Sequence, residues 1–212
     1  MKRNHTELPS QTQDTHHLII KAATKLFMEL GYRAVSTRKI AAECGITQPA
    51  LYHHFQNKQE IYIEVLKASI LQTENYLTKI ARDFPDIKQR IFHLSCYFMQ
   101  NYQEDLMQMF HDLHHEMPED VKQVINSHWQ KGFLSPIIHM FEEAVSKKEI
   151  GSFEAIDSSS FEVSLLLLNM IKSALLPDFM KSLTESEQKA IVEKKARLIV
   201  QIFLSGIAEK NG

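Results

Sequence analysis

Residues 36–58, with the sequence STRKIAAECGITQPALYHHFQNK, constrain the fold more than any other part of this chain. Ser36 is a suitable N-cap for a short helix, and Gly45 supplies the left-handed residue that often follows a helix C-terminus. Thr47 can cap a second short helix, whose first turn tolerates Pro49 because no N–H is required there. Two short helices joined by a tight turn form a helix-turn-helix, which presents its second helix to a DNA major groove.

Apolar residues recur at helical spacing in most of the remaining chain, and the full sequence contains only six glycines and six prolines. This pattern predicts an all-α protein: an N-terminal three-helix DNA-binding head and a C-terminal helical bundle. We expect a flexible arm over 1–13, the head over 14–60 and the bundle domain over 61–212. A long helix that follows the Asn57–Glu60 capping box has no break between head and bundle, and so predicts a rigid connector. Further helices are expected at about 86–101, 103–115, 119–148 (interrupted near Gly132–Pro136), 159–180 and 185–208. Gly31 is expected to end the first helix, Ser135 to cap the segment after the interruption, and the Ser158–Ser160 cluster to mark a loop. Thr184 and Glu187 are expected to form a second capping box.

The charge is distributed unevenly, although the formal net charge is only −2. Residues 1–60 carry 8 Lys/Arg and 5 Asp/Glu, whereas residues 61–212 carry 16 and 21. A mildly basic head on an acidic remainder suits a DNA-reading module joined to a domain of different function. Cys44 and Cys96 are too few and too isolated for a disulfide framework or a thiolate metal site, and both are expected to pack in helices.

The sequence contains no sign of secretion, membrane insertion or catalysis. The N-terminal stretch MKRNHTELPSQTQD is polar, and no apolar run approaches the ~18 residues of a membrane span. G-x-S-x-G, P-loop and zinc-protease motifs are absent, and the Ser158–Ser160 cluster has no identifiable base. We therefore expect a cytoplasmic protein that is not an enzyme and has no cofactor.

Three motifs in residues 18–66 occur in the order that one known family uses. The first helix contains A-x-x-L-F-x-x-x-G-Y, the next I-A-x-x-x-G-I, and the third A-L-Y-x-H-F-x-x-K. With these motifs the chain resembles the TetR family of bacterial transcriptional regulators, and beyond residue 66 it resembles them only in length and helical pattern. The resemblance implies a homodimer, a palindromic operator in double-stranded DNA, usually repression, and release by a small ligand held in the C-terminal domain.

The second helix of the motif supplies the predicted base contacts. Gln48 can pair bidentately with adenine, and Ala50, which faces the groove in the family motif, can pack on a thymine methyl. The resemblance implies that Tyr52 contacts phosphate. Lys58 combines an ammonium with a helix N-terminus, and Arg38 lies in the first turn of the preceding helix. The predicted DNA-binding set is Thr37, Arg38, Thr47, Gln48, Pro49, Ala50, Tyr52, His53 and Lys58.

A histidine cluster allows a second interpretation of the protein's function. His111 and His115 are four residues apart and can share one helix face with Glu116 nearby, a spacing compatible with zinc or iron. The segment lacks the H-E-x-x-H order of a zinc protease, and histidines near a helix C-terminus interact with its dipole without any metal. We therefore expect no metal, with a metal-responsive regulator as the alternative function. A protein-interaction module whose helix-turn-helix no longer reads DNA is a further alternative.

The C-terminal domain is rich in methionine and aromatic residues, which at helical spacing mostly form core but also line adaptable apolar cavities. The ligand site that the resemblance implies is assigned to these residues and to a few polar neighbours. The predicted pocket residues are Phe92, Cys96, Tyr102, Met107, Phe110, His114, Trp129, Phe133 and Met170.

The last two helices offer more apolar surface than two neighbouring helices of one chain should need. A symmetric four-helix contact would bury this surface and place two heads on one DNA. The predicted dimer interface consists of Leu165, Leu168, Ile171, Leu175, Leu198, Ile202 and Phe203.

Overall fold

The computed structural model describes residues 10–101, 109, 112–175 and 182–207. These residues form helices and connecting turns without any strand, which confirms the all-α prediction for the described part of the chain. None of the helices in that part is long and apolar enough to cross a membrane. The helices are α1 (Ser10–Ala34), α2 (Thr37–Glu43), α3 (Gln48–Tyr52), α4 (Lys58–Asp83), α5 (Ile87–Asn101), α6 (Glu119–Trp129), a π-helix (Gln130–Leu134), α7 (Ser135–Ser146), a 3-10 helix (Phe153–Ile156), α8 (Ser160–Ser173) and α9 (Glu185–Ile207).

The chain divides into two compact units that differ from the predicted domains. The first unit comprises residues 1–69 and 108–125, and the second comprises residues 70–107 and 126–212. The boundary predicted between residues 60 and 61 therefore lies inside α4, and residues 108–125 belong to the unit that contains the helix-turn-helix. The predicted arm over 1–13 overlaps the first turn of α1, which begins at Ser10, and its remainder lies outside the described residues.

The core of the first unit contains aliphatic side chains and a cluster of aromatic rings around Tyr62. The Tyr62 ring lies 4.9 Å from that of Phe27 and 4.8 Å from that of Tyr32, measured between centroids. Tyr62 is fully buried, its hydroxyl donates to the carbonyl oxygen of Met109 at 2.6 Å, and burial raises the pKa of its phenol above the ordinary value. The buried apolar residues of this unit are Ile19, Ala22, Ala23, Leu26, Phe27, Val35, Ile40, Ala41, Leu51, Phe55, Ile61, Tyr62, Val65, Leu66, Met109, Leu113, Met117 and Ile125.

A short segment far along the chain completes this unit. Gly31 has φ 74° and interrupts α1, as predicted. The N–H of the next residue, Tyr32, therefore bonds outside the helix. That N–H donates to the Asp112 carboxylate at 2.7 Å, and Arg33 pairs with Glu116 at 2.7 Å. Residues 112–116 are helical, so one helical turn supplies both carboxylates.

The second unit has its own apolar core, formed by α5, α7, α8, α9 and the end of α4. Leu94, Phe141, Leu167 and Ala196 are completely buried or nearly so within it. Arg90 is only 4% exposed, and its guanidinium donates to the carbonyl oxygens of Ala81 (3.0 Å) and Phe84 (2.8 Å) and to the Glu143 carboxylate (2.5 Å). This side chain therefore satisfies backbone groups that the end of α4 leaves without helical partners.

The interruption predicted near Gly132–Pro136 is confirmed as a π-helix, followed by α7 with proline in its first turn. Gly132 is buried, and a Cβ there would lie 3.0 Å from both Ile70 Cγ2 and Glu74 Oε2. The absence of a side chain at this position thus permits a close approach to α4. Ser135 was expected to cap α7, but no side-chain cap hydrogen bond is present.

Complete capping boxes begin α8 and α9, and α4 begins with a variant of the predicted box. Thr184 and Glu187 form the expected reciprocal pair at α9. At α4 the Asn57 side chain accepts the N–H of Glu60 at 2.9 Å, but the Glu60 carboxylate accepts from the N–H of Gln56 instead of Asn57. Ser159 and Glu162 form a complete box at α8 that the sequence analysis did not identify.

The predicted dimer residues fall into separate groups. Ile171 and Phe203 are 2% and 7% exposed and pack in the core of the second unit, and their place in a dimer interface stays a prediction. Leu198 and Ile202, one turn apart on α9, are 55% and 54% exposed and remain available. The other predicted residues, which are half-buried against the core, are Leu165, Leu168 and Leu175. Two exposed side chains on α8 were not predicted, namely Phe161 and Leu166.

Candidate DNA-binding surface

The turn between α2 and α3 has the geometry that the sequence predicts. Gly45 has φ 66°, a conformation in which a Cβ is unfavourable. Its N–H donates to the carbonyl of Ala42, and the N–H of Ile46 donates to the carbonyl of Ala41. These two bonds make a Schellman motif, which ends α2 and reverses the chain within a few residues.

Both helices are capped by the side chains that were predicted to cap them. Ser36 Oγ accepts the N–H of Lys39 at 3.2 Å, and Thr47 Oγ1 accepts the N–H of Ala50 at 3.3 Å. On the inward side of α2, α3 and the turn that follows α3, four side chains are completely or nearly buried, namely Ile40, Ala41, Leu51 and Phe55. The short helices are therefore fixed by local caps and by burial, and their other faces remain free for a ligand.

The predicted DNA contacts lie on or near that free face. Arg38 is exposed and has no hydrogen-bond or ion-pair partner among the described residues. Tyr52 is 46% exposed. Three further predicted contacts are exposed, namely Thr47, Pro49 and His53, and three are half-buried, namely Thr37, Gln48 and Ala50.

Three of these side chains bond to one another, in a hydroxyl–amide triangle formed by Thr37, Gln48 and Tyr52. Gln48 Nε2 lies 3.0 Å from Thr37 Oγ1 and 3.3 Å from the Tyr52 hydroxyl oxygen, and the two hydroxyl oxygens are 3.2 Å apart. Hydrogen bonds from Thr37 and Gln48 lower the pKa of Tyr52 below its ordinary value. The triangle joins the start of α2 to both ends of α3, and the sequence analysis did not anticipate it.

Lys58 occupies a different environment from the one predicted. Its ammonium donates to the carbonyl oxygen of Tyr32 at 2.9 Å and lies 4.0 Å from the centroid of the same residue's ring. Partial burial lowers the pKa of Lys58 below its ordinary value. Because an ammonium has three donors, the contacts with Tyr32 position the charge at the start of α4 and still leave a donor for phosphate.

The histidine cluster is only partly described. His111 lies outside the described residues, and Glu116 is the ion-pair partner of Arg33. Among the described residues, no group of three or more His, Cys, Asp or Glu side chains is arranged to hold a metal ion.

The predicted pocket residues that the structure describes lie in several environments. Phe133 is buried, with its ring 5.3 Å from that of Trp129, and Phe92 borders an open groove of about 820 Å³ between α5 and α9. Cys96 and Met170 are half-buried against the core of the second unit, and burial raises the pKa of the Cys96 thiol to about 11. His114 is exposed in the first unit, and the remaining residues lie outside the described part, namely Tyr102, Met107 and Phe110.

The geometry defines a helix-turn-helix protein with an exposed second helix. Residues 19–65 match the family model described as bacterial regulatory proteins, tetR family. The helix-turn-helix region of this chain is therefore similar to the DNA-binding domain of that family.

A search of curated proteins finds a relative with the same N-terminal region. The Transposon Tn10 TetC protein of Escherichia coli is 32% identical over 76 residues, which are 36% of this chain and 38% of that protein. The match therefore spans only about a third of the relative's length and supports the N-terminal domain rather than the whole chain.

Solved structures extend the similarity to the fold of most of the chain. The transcriptional regulator FadR of Bacillus subtilis, solved with stearoyl-CoA, has a TM-score of 0.68 at 19% identity, covering 91% of this chain and 99% of that one. AibR, solved with isovaleryl coenzyme A and operator DNA, has a TM-score of 0.67 at 17% identity, covering 90% and 98%. At this identity the two comparisons support the fold alone.

Proposed function

We propose that this chain is a dimeric transcriptional regulator, a repressor that binds a palindromic operator and releases it when a small ligand binds the second unit. The observation that carries the proposal is the free face of α2 and α3, where Arg38 is exposed and Gln48 bonds to Tyr52, in a region that matches the TetR-family model. These side chains suit the two kinds of contact that such proteins make, to phosphates and to base edges. A regulator of this kind acts on DNA in the cytoplasm and is not an enzyme.

The test is binding of the purified full-length protein to a genomic fragment library at several salt concentrations. We expect one palindrome to be enriched, with an affinity that falls steeply as salt rises. Gln48→Ala should relax the preference at one position of each half-site, and Arg38→Ala should weaken binding. Gln72→Ala, a change at an exposed glutamine of α4, is the matched control and should leave the enriched sequence unchanged. No enrichment at low salt, in protein refolded to remove any co-purified ligand, would contradict the proposal.

Dimerisation follows from the number of phosphate contacts that useful affinity requires, because one head makes too few of them. Leu198 and Ile202 form an exposed apolar pair on α9 that a second copy of the chain can bury. Leu198→Glu with Ile202→Glu should convert the dimer to a monomer in light scattering and reduce operator affinity. Leu71→Glu, at a similarly exposed leucine of α4, is the control. A double variant that remains dimeric would exclude this face.

The effector is proposed to be a small molecule with an apolar part. Two proteins of the same fold were solved with acyl-CoA thioesters, stearoyl-CoA and isovaleryl coenzyme A, so this class is the first to test here. Trp129 is the single tryptophan of the chain and lies in the second unit against Phe133, so its fluorescence reports binding there.

The expected result is a fluorescence change on titration with acyl-CoAs, together with weaker operator binding by the saturated protein. A coupling free energy of about 1–3 kcal/mol, typical of allosteric proteins, corresponds to a 5–150-fold loss of affinity. Free coenzyme A is the control for the acyl chain. An acyl-CoA that binds tightly and leaves operator affinity unchanged is not the effector.

A further inference from the structure

We infer that Gln48 reads its base as a hydrogen-bond acceptor only, and therefore selects adenine or cytosine over guanine and thymine at one position of each operator half-site. Thr37 and Tyr52 are the positioning residues that impose this role. The inference rests on the proposed function and concerns which chemical group the recognition helix presents to a base.

Both amide hydrogens of Gln48 are already engaged within the protein. Nε2 lies 3.0 Å from Thr37 Oγ1 and 3.3 Å from the Tyr52 hydroxyl oxygen, and a primary amide has only two N–H donors. The oxygen Oε1 has no hydrogen-bond partner among the described residues. Gln48 thus offers an incoming base an unused acceptor and no unused donor.

The number of protons in the hydroxyl–amide triangle determines which way the amide points. Three polar contacts close the triangle, including the 3.2 Å contact between the two hydroxyl oxygens. When Nε2 is the amide atom that faces the two hydroxyls, the amide supplies two hydrogens, one hydroxyl supplies the third, and the hydrogen of the other hydroxyl remains free. When Oε1 faces them instead, both hydroxyls donate to it, and neither has a hydrogen left for the contact between the hydroxyls. Only the first arrangement makes all three bonds.

The remaining hydroxyl hydrogen has a use at the same surface. When Thr37 donates within the triangle, the hydrogen of the exposed Tyr52 hydroxyl is free to bond a phosphate oxygen. The triangle can therefore persist in a DNA complex in which Tyr52 contacts the backbone and Gln48 faces the base edges.

An acceptor at the major groove discriminates between bases by their exocyclic groups. Adenine presents the N6 amine and cytosine the N4 amine, whereas guanine and thymine present acceptor oxygens, O6 and O4. The bidentate pairing with adenine expected from the sequence also needs a donor for N7, and Gln48 can supply one only by giving up a bond of the triangle. Adenine then has little advantage over cytosine.

The experiment uses the full-length protein and the operator found above. The position that Gln48 reads is the one at which Gln48→Ala removes base preference, and all four base pairs are placed there in turn. We expect adenine and cytosine to bind with similar affinity, and guanine and thymine to bind about 10-fold more weakly, as for loss of one hydrogen bond. Gln48→Glu, which presents an acceptor oxygen without any donor, should keep the same order while binding every sequence less tightly.

Thr37→Val releases one amide hydrogen while keeping the shape of the side chain. Adenine should then gain about 10-fold over cytosine, because the amide can bond N7 and N6 together. Thr78→Val, which removes an exposed hydroxyl from α4, is the matched control and should not change the base order. Unfolding curves of the variants, expected to match the unmodified protein, verify that folding is unaffected.

Two outcomes would overturn the inference without contradicting the proposed function. One is strong preference for adenine over cytosine that Thr37→Val leaves unchanged, since Gln48 would then pair bidentately in the unmodified protein. The other is preference for guanine or thymine at that position. Failure to enrich any operator would instead overturn the proposed function, and this inference with it.

Discussion

In the first unit, the hydroxyl–amide triangle lies at the surface, and its three residues are within sixteen positions of one another, from Thr37 to Tyr52. In the second unit, Arg90 is buried, and it joins the end of α4 to Glu143, which lies 53 residues away. Both arrangements use several hydrogen bonds to fix one side chain. Solvent can replace the bonds of the exposed triangle if they are lost, whereas the Arg90 side chain is only 4% exposed and its donors have little access to water.

The comparison separates residues that hold the protein together from residues available for binding. Loss of a buried charge or donor leaves its partners unsatisfied, so the free energy of unfolding should fall strongly. Loss of an exposed polar group costs little stability, so selection for binding can vary it freely. The sizes of the effects below test that difference, beginning with the largest.

Arg90→Ala should lower the free energy of unfolding by about 3 kcal/mol, because it removes a buried side chain that bonds two backbone carbonyls near the end of α4 and the Glu143 carboxylate. Urea unfolding followed by circular dichroism measures the change. Arg82→Ala is the matched control, since Arg82 is exposed and pairs only with its neighbour Asp83, and it should cost less than 1 kcal/mol (about 0–1). Equal effects of the two variants would contradict the structural role assigned to Arg90.

Tyr62→Phe should destabilise the protein by about 1.5 kcal/mol, because the buried carbonyl of Met109 loses its hydroxyl donor. The same unfolding assay applies, and Tyr52→Phe removes an exposed hydroxyl as the control. We expect the control to change stability by less than about 0.5 kcal/mol while weakening operator binding. A destabilisation from Tyr52→Phe as large as that from Tyr62→Phe would remove the distinction between the two hydroxyls.

The carboxylate of Glu143 should make stability depend on pH in the acid range. Hydrogen bonds from Arg90 and Lys147 lower its pKa from 4.5 to about 2. A depressed carboxyl pKa contributes stability above the ordinary value that is lost as the pH falls from about 4.5 through about 2. Because this carboxylate is 41% exposed, we expect only about 1 kcal/mol. Unfolding free energies of the unmodified protein and of Glu143→Gln should therefore converge towards pH 2, and a constant difference between them would refute the assignment.

Gln48→Ala should have the smallest effect on stability, within about 0.5 kcal/mol, although it removes two hydrogen bonds of the triangle. Thermal unfolding and operator binding are measured for this variant and for Arg90→Ala, so that the effects of the two changes on stability and on affinity can be compared directly. A loss of stability well above that range would mean that the triangle holds α2 and α3 together rather than preparing a surface.

The features that the sequence predicted correctly are those that depend on neighbouring residues. Gly45, Thr47 and Pro49 define their turn and caps within five positions, and the structure shows each of them in its expected role. The capping box at Ser159 and Glu162 has the same spacing and was available from the pattern, yet the run of serines was interpreted as a loop. At α4, the Glu60 carboxylate selected the N–H of Gln56, because spacing does not determine which of two adjacent donors it reaches.

The features that could not be predicted depend on packing over long sequence separations. Helical periodicity identifies an apolar face but does not show whether that face meets the same chain or a second copy, and Ile171 and Phe203, predicted at the interface, lie in the core of the second unit. The triangle requires Thr37 and Gln48 to come together across a turn. The bond from Tyr32 to Asp112 spans 80 residues, and no pattern of residue types indicates it.

The contacts that later residues make with the first helices determine when a newly made chain can complete its first unit. The helix-turn-helix leaves the ribosome before Met109 and Leu113 have been made. Until both have been made, the Tyr62 hydroxyl lacks its acceptor and Leu113 does not cover the apolar core. Closing a loop of this length carries an entropic cost that the local caps do not repay. A fragment ending at residue 69 would therefore expose apolar surface and require a chaperone, whereas one that reaches the carboxyl end of this unit can complete its core.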